Sequence, residues 1–521
     1  MKESKQRIGG IAINWITIVV QVVISLFFVP FFLTMVGDKQ YGLYSFSTSI
    51  IAWIDTLMIA VASAYYKFLT REKSEHGKKG EAVACGVFFK IFFIIAIGVL
   101  VVGIGFDILL YTNVIPLSEY SATEKNQICL IILMSLLSTT IATFLTTSKS
   151  YPFYKEKYVF IYLVSLGQIV LQAIISIIFL KAGLGVVYVA GAHFGTAILV
   201  TLIMSFVSKY SLKQKIIIKA ENEEDKAKRK RLAKEIIVFS SFVIINTVVD
   251  LLNKSLDKTL LGFYNAYSVA NYQLAYSIPS YLMSFTAIIT VVNTQKVNDV
   301  YYNGGGLKEA NNVFLRVSKF QSFVTFLIVG GFIACGQEFV TLWLDSSRMQ
   351  VYYVACSLML TYSLTCANGL SVIVRRLQNK HVKASFIYLG IAVANVGISI
   401  LLINLLGREN AIWGCVGGTV VTYLIGHYII MQIYDQKSTG INSAKFFINF
   451  LVFGVTAVLI TVLTTRTFEI IIINNTILRF FIKAIVFALV FFVVFYLLDN
   501  EIKTSVNSVL KRIFKRKSKL H

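Results

Sequence analysis

Apolar residues run on for about twenty positions at a time along this chain, with neither the alternation of a strand nor the single apolar face of a soluble helix. Fourteen such runs lie near 11–35, 43–66, 85–110, 127–148, 158–180, 184–207, 236–261, 268–293, 318–343, 351–374, 384–406, 411–434, 446–464 and 477–498. Each has about the length a helix needs to cross a hydrocarbon core of roughly 30 Å. The gaps between the runs carry a second pattern. Most of the 49 Lys and Arg residues fall at the N-terminus, in every second gap and in the tail: Lys2, Lys5 and Arg7, then Lys67–Lys79, Lys149–Lys157, Lys209–Lys234, Arg375–Lys383 and Lys503–Lys519. The intervening gaps hold only Lys39, Lys125, Lys181, Arg348, Arg408, Arg466 and Arg479. Basic side chains beside helix ends stay cytoplasmic. The pattern predicts an all-α integral membrane protein of 14 transmembrane helices, N-in and C-in.

Composition changes the picture little. The chain is 56% hydrophobic and 14% charged, with a net charge of +23. On a soluble protein that charge would point to nucleic acid. Here the positive-inside distribution accounts for it, and the partners it implies are membrane lipids, not nucleic acid. Six cysteines lie mostly inside the apolar runs and never form C-x-x-C, so neither a disulfide framework nor a zinc site is expected. The first run is too long for a signal-peptide core and reads as an uncleaved span. No P-loop, H-E-x-x-H or G-x-S-x-G occurs. Gly304-Gly305-Gly306 follows no strand and reads as a turn. The chain is expected to be a transporter without a bound cofactor, driven by Na+ or H+, by membrane potential or by the substrate gradient.

The longest gap, 208–235, is dense in both signs of charge and is expected to be a solvated, partly helical linker. It divides the first twelve runs into similar halves. Phe160-Ile161-Tyr162-Leu163 recurs as Phe386-Ile387-Tyr388-Leu389, and Gly191-x-x-x-Gly195-Thr196 as Gly414-x-x-x-Gly418-Thr419, at nearly one offset. Six spans separate the copies, so both have one orientation. Parallel repeats of this kind place substrate between the halves. The expected organisation is an N-lobe over 1–207, a cytoplasmic basic linker over 208–235, a C-lobe over 236–435, two added helices within 436–498, and a basic tail over 499–521.

Charge inside a membrane is costly and is a functional hypothesis by default. Span 7 carries most of it. Helical spacing sets Asn246, Asp250, Asn253, Lys254 and Asp257 within about 100° of one another, with Lys258 at the edge. The same spacing suits ion pairs within the helix, so direct contact with substrate and mutual neutralisation both stay open. Span 1 carries a milder stripe of Asn14, Thr17, Gln21 and Ser25. Span 2 contributes Asp55 and ends at Tyr65-Tyr66-Lys67. Tyr272, Tyr276 and Tyr281 of span 8 are candidates to offer ring faces to sugars. His193 and His427 are expected to be packing residues.

These residues carry a resemblance. Asn14-Trp15, Pro30, Gly37 and Tyr41-Gly42-Leu43-Tyr44, followed by Asp55, look like the opening of bacterial polysaccharide and O-antigen flippases. Those proteins belong to the multidrug/oligosaccharidyl-lipid/polysaccharide exporter superfamily. The stretch Asn253–Gly262, then Tyr267-Ser268-Val269-Ala270, is similar to its span 7–8 signature. Trp343, Asn395-x-x-x-Ser399, Gly407, Gly414 and Gly418-Thr419 extend the likeness over nearly the whole chain. The family commonly follows its span 2 Asp with Leu-Gly and closes that span with Arg; here Thr56-Leu57 and Lys67 stand instead.

The resemblance implies alternating access in a bacterial cytoplasmic membrane. The cargo would be an undecaprenyl-pyrophosphate-linked oligosaccharide, destined for cell-surface polysaccharide such as O-antigen, capsule or lipopolysaccharide. Lys254, Lys258 and Lys67 would meet the pyrophosphate as cations. Asn14, Gln21, Asp55, Asn246, Asp250, Asn253 and Asp257 would line the cavity, and Tyr272 and Tyr276 would touch the glycan. Asp250 and Asp257 would either position the lysines or bind the coupling ion. Glycosyltransferases and a polymerase of the same pathway are the expected protein partners. The competing classes are a cation-coupled multidrug exporter of the same superfamily and a membrane polysaccharide polymerase or ligase.

Overall fold

A computed structural model describes residues 2–302, 306–378, 380–471, 473–501 and 503–504; the side chains at 2–5, 7–8, 11–12, 54–63, 242–254 and 295 fall outside the description. Helices account for nearly all of it, and no strand occurs among the described residues. In chain order they are α1 Lys2–Tyr111, α2 Ala122–Phe144, α3 Thr146–Lys149, α4 Tyr151–Tyr154, α5 Tyr158–Lys181, α6 Val186–Phe206, α7 Glu223–Gly262 and α8 Ala266–Val300. There follow α9 Gly306–Trp343, α10 Met349–Ala367, α11 Gly369–Leu377, α12 His381–Leu406, α13 Ala411–Ile425, α14 Met431–Tyr434, α15 Ser443–Ile470 and α16 Thr476–Leu498. Twelve helical segments among the described residues are long and apolar enough to cross a membrane.

Gly37 (φ 78°) and Gly77 (φ 62°) leave helical geometry inside α1, so that element is three helices in sequence. Both breaks fall in gaps of the hydrophobic pattern. Positive φ strains any residue carrying a Cβ, which is why glycine stands there.

The chain forms two compact units. The first comprises Met1–Gln273 with Ile403–Cys415; the second comprises Leu274–Leu402 with Val416–His521. In the first, α2, α5, α6 and α7 pack against α1. Gly42 and Gly262 permit the tightest approaches: a Cβ on Gly42 would lie 1.9 Å from the Ala266 carbonyl oxygen, and one on Gly262 would strike the Phe46 ring. Segment 208–235 is largely exposed and touches α1 at a few points. The Ile217 amide donates to the Ala82 carbonyl at 3.0 Å. Arg229, buried, donates to Asp225 at 2.9 Å and to the Ile217 carbonyl at 2.6 Å. Lys79 meets Glu221, and Arg71 meets Glu235, each at 2.7 Å. Asn222 caps α7 by accepting from the Asp225 amide, so α7 starts well before the apolar run and continues through it.

The second unit is organised on α9, against which α10, α15 and α16 pack. Its core is built of phenylalanine: Phe323, Phe326, Phe453, Phe487, Phe491 and Phe495 are all buried. Phe453 stacks on Phe495 with centroids 4.4 Å apart. Lipid tails are as apolar as these side chains, so close dispersion contact, not escape from water, holds such helices together. Gly330 and Gly454 leave room for the rings of Phe487 and Phe326.

The repeat copies differ in use. A Cβ on Gly418 would lie 2.1 Å from the Ser399 hydroxyl, and one on Gly414 would lie 2.5 Å from Ile403. Nothing lies within 4 Å of such an atom on Gly195, and only Met134 sulfur, at 3.9 Å, on Gly191. Close backbone packing therefore explains the second glycine pair and not the first.

Candidate functional site

The last two turns of α7 form a polar niche inside the first unit. Asp257 is buried and accepts a 2.5 Å hydrogen bond from the Tyr272 hydroxyl. Tyr272 lies early in α8, and the turn joining α7 to α8 folds it back over the carboxylate. From α1, Ser49 Oγ lies 3.0 Å from Thr259 Oγ1, and the Trp53 indole N–H donates to the same oxygen at 3.2 Å. Thr259 in turn donates to the Ser255 carbonyl at 2.9 Å. Cys415 Sγ approaches the Asp257 carbonyl at 3.9 Å. Lys258, half-buried, stands next to the carboxylate and feels its charge. The niche joins an anion, a cation and hydroxyl donors in an apolar surrounding, where each charge acts more strongly than it would in water.

Other expected site residues are more scattered. The side chains of Asp55, Asn246, Asp250, Asn253 and Lys254 lie outside the described residues. Asn14 is half-buried and Gln21 exposed. Thr17, on the same stripe, donates to the Ile13 carbonyl of its own helix at 2.9 Å. Lys67 is exposed, its Nζ 4.1 Å from the centroid of the Phe239 ring. Phe239 and Lys258 belong to one continuous helix, so their separation along its axis is about 28 Å at 1.5 Å per residue. Lys67 and Lys258 are thus about five turns apart along α7, too far to hold one pyrophosphate together. Tyr272 and Tyr276, expected at a glycan, are both buried here. The ring of Tyr276 packs edge-on against Tyr362, with centroids 6.4 Å apart.

Two buried charge clusters in the second unit escaped the sequence reading. Glu338 of α9 lies 3.0 Å from Lys483 and 3.2 Å from Arg479 of α16. Arg375 is held by both oxygens of Asp435, at 2.8 and 2.6 Å, and its other nitrogen donates to the Tyr388 hydroxyl at 2.8 Å. His427 stacks on Tyr423 and Tyr388, with centroids 4.3 and 5.2 Å away, as packing predicts. A search for acidic residues inside apolar runs would have found Glu338, and a search for its partner would have found Lys483.

Residues 9–293 match the model of a family described as polysaccharide biosynthesis protein. No curated protein sequence matches the chain. The fold is similar to that of a lipid II flippase, MurJ, in an inward closed conformation: TM-score 0.67 at 15% identity, covering 93% of this chain and 98% of that one. It is also similar to an inward-facing multidrug resistance MATE family transporter of the MOP superfamily, with TM-score 0.58 at 13% identity over 80% of this chain and 96% of that one. A Vibrio cholerae MATE transporter gives TM-score 0.53 at 14% identity over 84% and 99%.

Proposed function

We propose, from the premise that this chain belongs to the polysaccharide biosynthesis protein family, that it is a flippase for lipid-linked oligosaccharide. The cargo is an undecaprenyl-pyrophosphate-linked repeat unit, moved from the inner to the outer leaflet of a bacterial cytoplasmic membrane by alternating access. One observation carries the choice within the superfamily. The lipid II flippase fold accounts for 93% of this chain, whereas the two MATE transporters account for 80% and 84%. A twelve-helix exporter would leave α15 and α16 without counterparts.

The finer topology belongs to the same reading: 14 spans, both ends cytoplasmic, no catalytic step. The break at Gly37 supports it by dividing the first apolar helical segment into two crossings. In this orientation Lys67 meets the pyrophosphate on the inner side. Lys258 and Lys254, one turn apart, meet it near the outer side. Asp257 keeps Lys258 charged or holds Na+ or H+. The product feeds O-antigen- or capsule-type polymer synthesis by glycosyltransferases and a polymerase of the same pathway.

The test is the lipid-linked glycan pool of a strain lacking the protein. Accumulation of undecaprenyl-pyrophosphate oligosaccharide facing the cytoplasm is expected, with rescue by the unaltered gene and not by Lys258→Ala, although that variant inserts normally. An unchanged pool with new sensitivity to cationic dyes would transfer the assignment to the multidrug exporter branch. Normal flipping with shortened polymer would transfer it to the polymerase class.

A further inference from the structure

A cavity of about 740 Å³ opens at the lysine-rich end of the first unit, within the roughly 300–1,000 Å³ of small-ligand sites. Its wall is apolar, with Leu145 beyond the end of α2 and Leu202, Ile203 and Phe206 on the last turns of α6. Around it the chain is firmly built. The helix after α6 widens into a π-helical turn, Val207–Ser211. Buried Ser208 donates to the Ser148 carbonyl of α3 at 2.6 Å. Gln214 reaches back to the Thr147 carbonyl at 3.1 Å and the Tyr65 hydroxyl at 3.2 Å. One polar atom in the lining, Ser205 Oγ, is buried and has no hydrogen-bond partner among the described residues.

The rim is cationic. Lys209 lines the cavity, its Nζ 5.4 Å from the exposed ring of Tyr210, which packs on Phe206 at 4.6 Å. Residues 208–219 carry Lys209, Lys213, Lys215 and Lys219 and no acidic residue. All four lysines are exposed, and none forms an ion pair among the described residues. An apolar wall at the end of a spanning helix, an interfacial tyrosine and unneutralised lysines above it match a glycerophospholipid part by part. The acyl chain takes the wall and the phosphate takes Lys209 at its rim, with three further lysines on the segment that follows. A zwitterionic lipid would bring its own ammonium against the lysines, and free phosphate would leave the wall unused.

We propose that this cavity binds one anionic phospholipid, of the phosphatidylglycerol type, from the leaflet at the lysine-rich helix ends. The site has no part in carrying the translocated glycan, and its readout is lipid retention, so it stands or falls apart from the flippase reading. The experiment is native mass spectrometry of the full chain from micelles doped with phosphatidylglycerol or phosphatidylcholine of identical acyl chains. The expected result is one retained phosphatidylglycerol and no equivalent phosphatidylcholine. Retention should weaken about fivefold for each lysine removed in Lys209→Ala and Lys209→Ala/Lys213→Ala. Leu202→Trp, which fills the wall from an exposed position and leaves the fold intact, should abolish it. Equal retention of both lipids by the unaltered protein would overturn the proposal. So would phosphatidylglycerol retention that neither Lys209→Ala nor Leu202→Trp changes, or its full displacement by inorganic phosphate, which would reduce the site to a headgroup contact.

Discussion

Glu338 in the second unit and Asp257 in the first are both buried carboxylates within apolar helices, and their company differs in kind. Glu338 faces two cations from a neighbouring helix, Lys483 at 3.0 Å and Arg479 at 3.2 Å. Asp257 faces a neutral phenol, Tyr272, with a lysine next to it in the chain. The first arrangement fastens α16 to α9, beside a phenylalanine core that already joins them. The second orients an anion with a hydroxyl donor beside a lysine, the arrangement that the proposed flippase would use. Buried charge in a membrane protein is therefore not one signal. Where the counter-charge comes from a different helix with several contacts, the cluster is architecture; where a neutral group orients it, it is a candidate for chemistry.

The sharpest way to break that contrast is to remove Glu338. Glu338→Ala leaves Lys483 buried without its anion and should cost about 3–5 kcal/mol of stability. Thermal unfolding of the purified protein in detergent measures it. Replacing both partners with apolar residues of similar size, Glu338→Leu with Lys483→Met, should return most of the loss, because neither charge is then stranded. Unchanged unfolding combined with lost export would make this cluster functional and end the comparison.

Asp257→Asn is the next step down. The amide oxygen still accepts from Tyr272, so stability should change by about 1 kcal/mol. Glycan export per folded molecule, by contrast, should fall at least about tenfold, because the charge beside Lys258 is gone. Tyr272→Phe should behave oppositely, costing about 1–3 kcal/mol by removing a hydrogen bond to a buried carboxylate. If export falls only in proportion to the amount of folded protein in both variants, Asp257 is architecture like Glu338.

Much of this was readable before any coordinates. The gaps between apolar runs foretold where α1 breaks, at Gly37 and Gly77, because run length and positive φ each act on a few neighbouring residues. The family resemblance, carried by Asn253–Gly262 and the tyrosine-glycine segment near 41, led to the family that residues 9–293 match. Long-range pairing was harder to read. Nothing near Lys483 in sequence points to Glu338, and Asp435 sits in an ordinary polar stretch between apolar runs although it neutralises Arg375 in the interior. Segment 208–235 looks like solvated linker by composition, since its charges are the kind that face water. In the folded chain most of them do face water, while Glu221, Lys228 and Glu235 find partners on α1 at Lys79, His76 and Arg71. Lys67 and Lys258 share a charge type, which suggested one phosphate; only the unbroken length of α7 separates them.

That linker supplies the smallest and most instructive member of the series. Arg71 and Glu235 lie 2.7 Å apart, each 37% exposed. The hydrogen bond from Arg71, then its charge, holds the Glu235 carboxyl below the ordinary carboxylate range. A carboxyl lowered by folding stabilises the fold above its unfolded pKa, about 4.3, and that contribution disappears as pH falls through the lower folded value. Water and salt reach this pair, so it should be worth only about 0.2–1 kcal/mol. The difference in unfolding midpoint between the unaltered protein and Glu235→Gln should be small at pH 7, begin to shrink as pH falls below about 4.3, and vanish only below the folded carboxyl's lower pKa. At 1 M salt, where screening acts within about 3 Å, it should shrink even at neutral pH. Glu338→Ala should keep its full cost in the same salt, because the ions cannot follow it into the protein. A salt response of equal size in the two variants would mean that solvent reaches Glu338, and the distinction between a buried clamp and a surface pair would fail there.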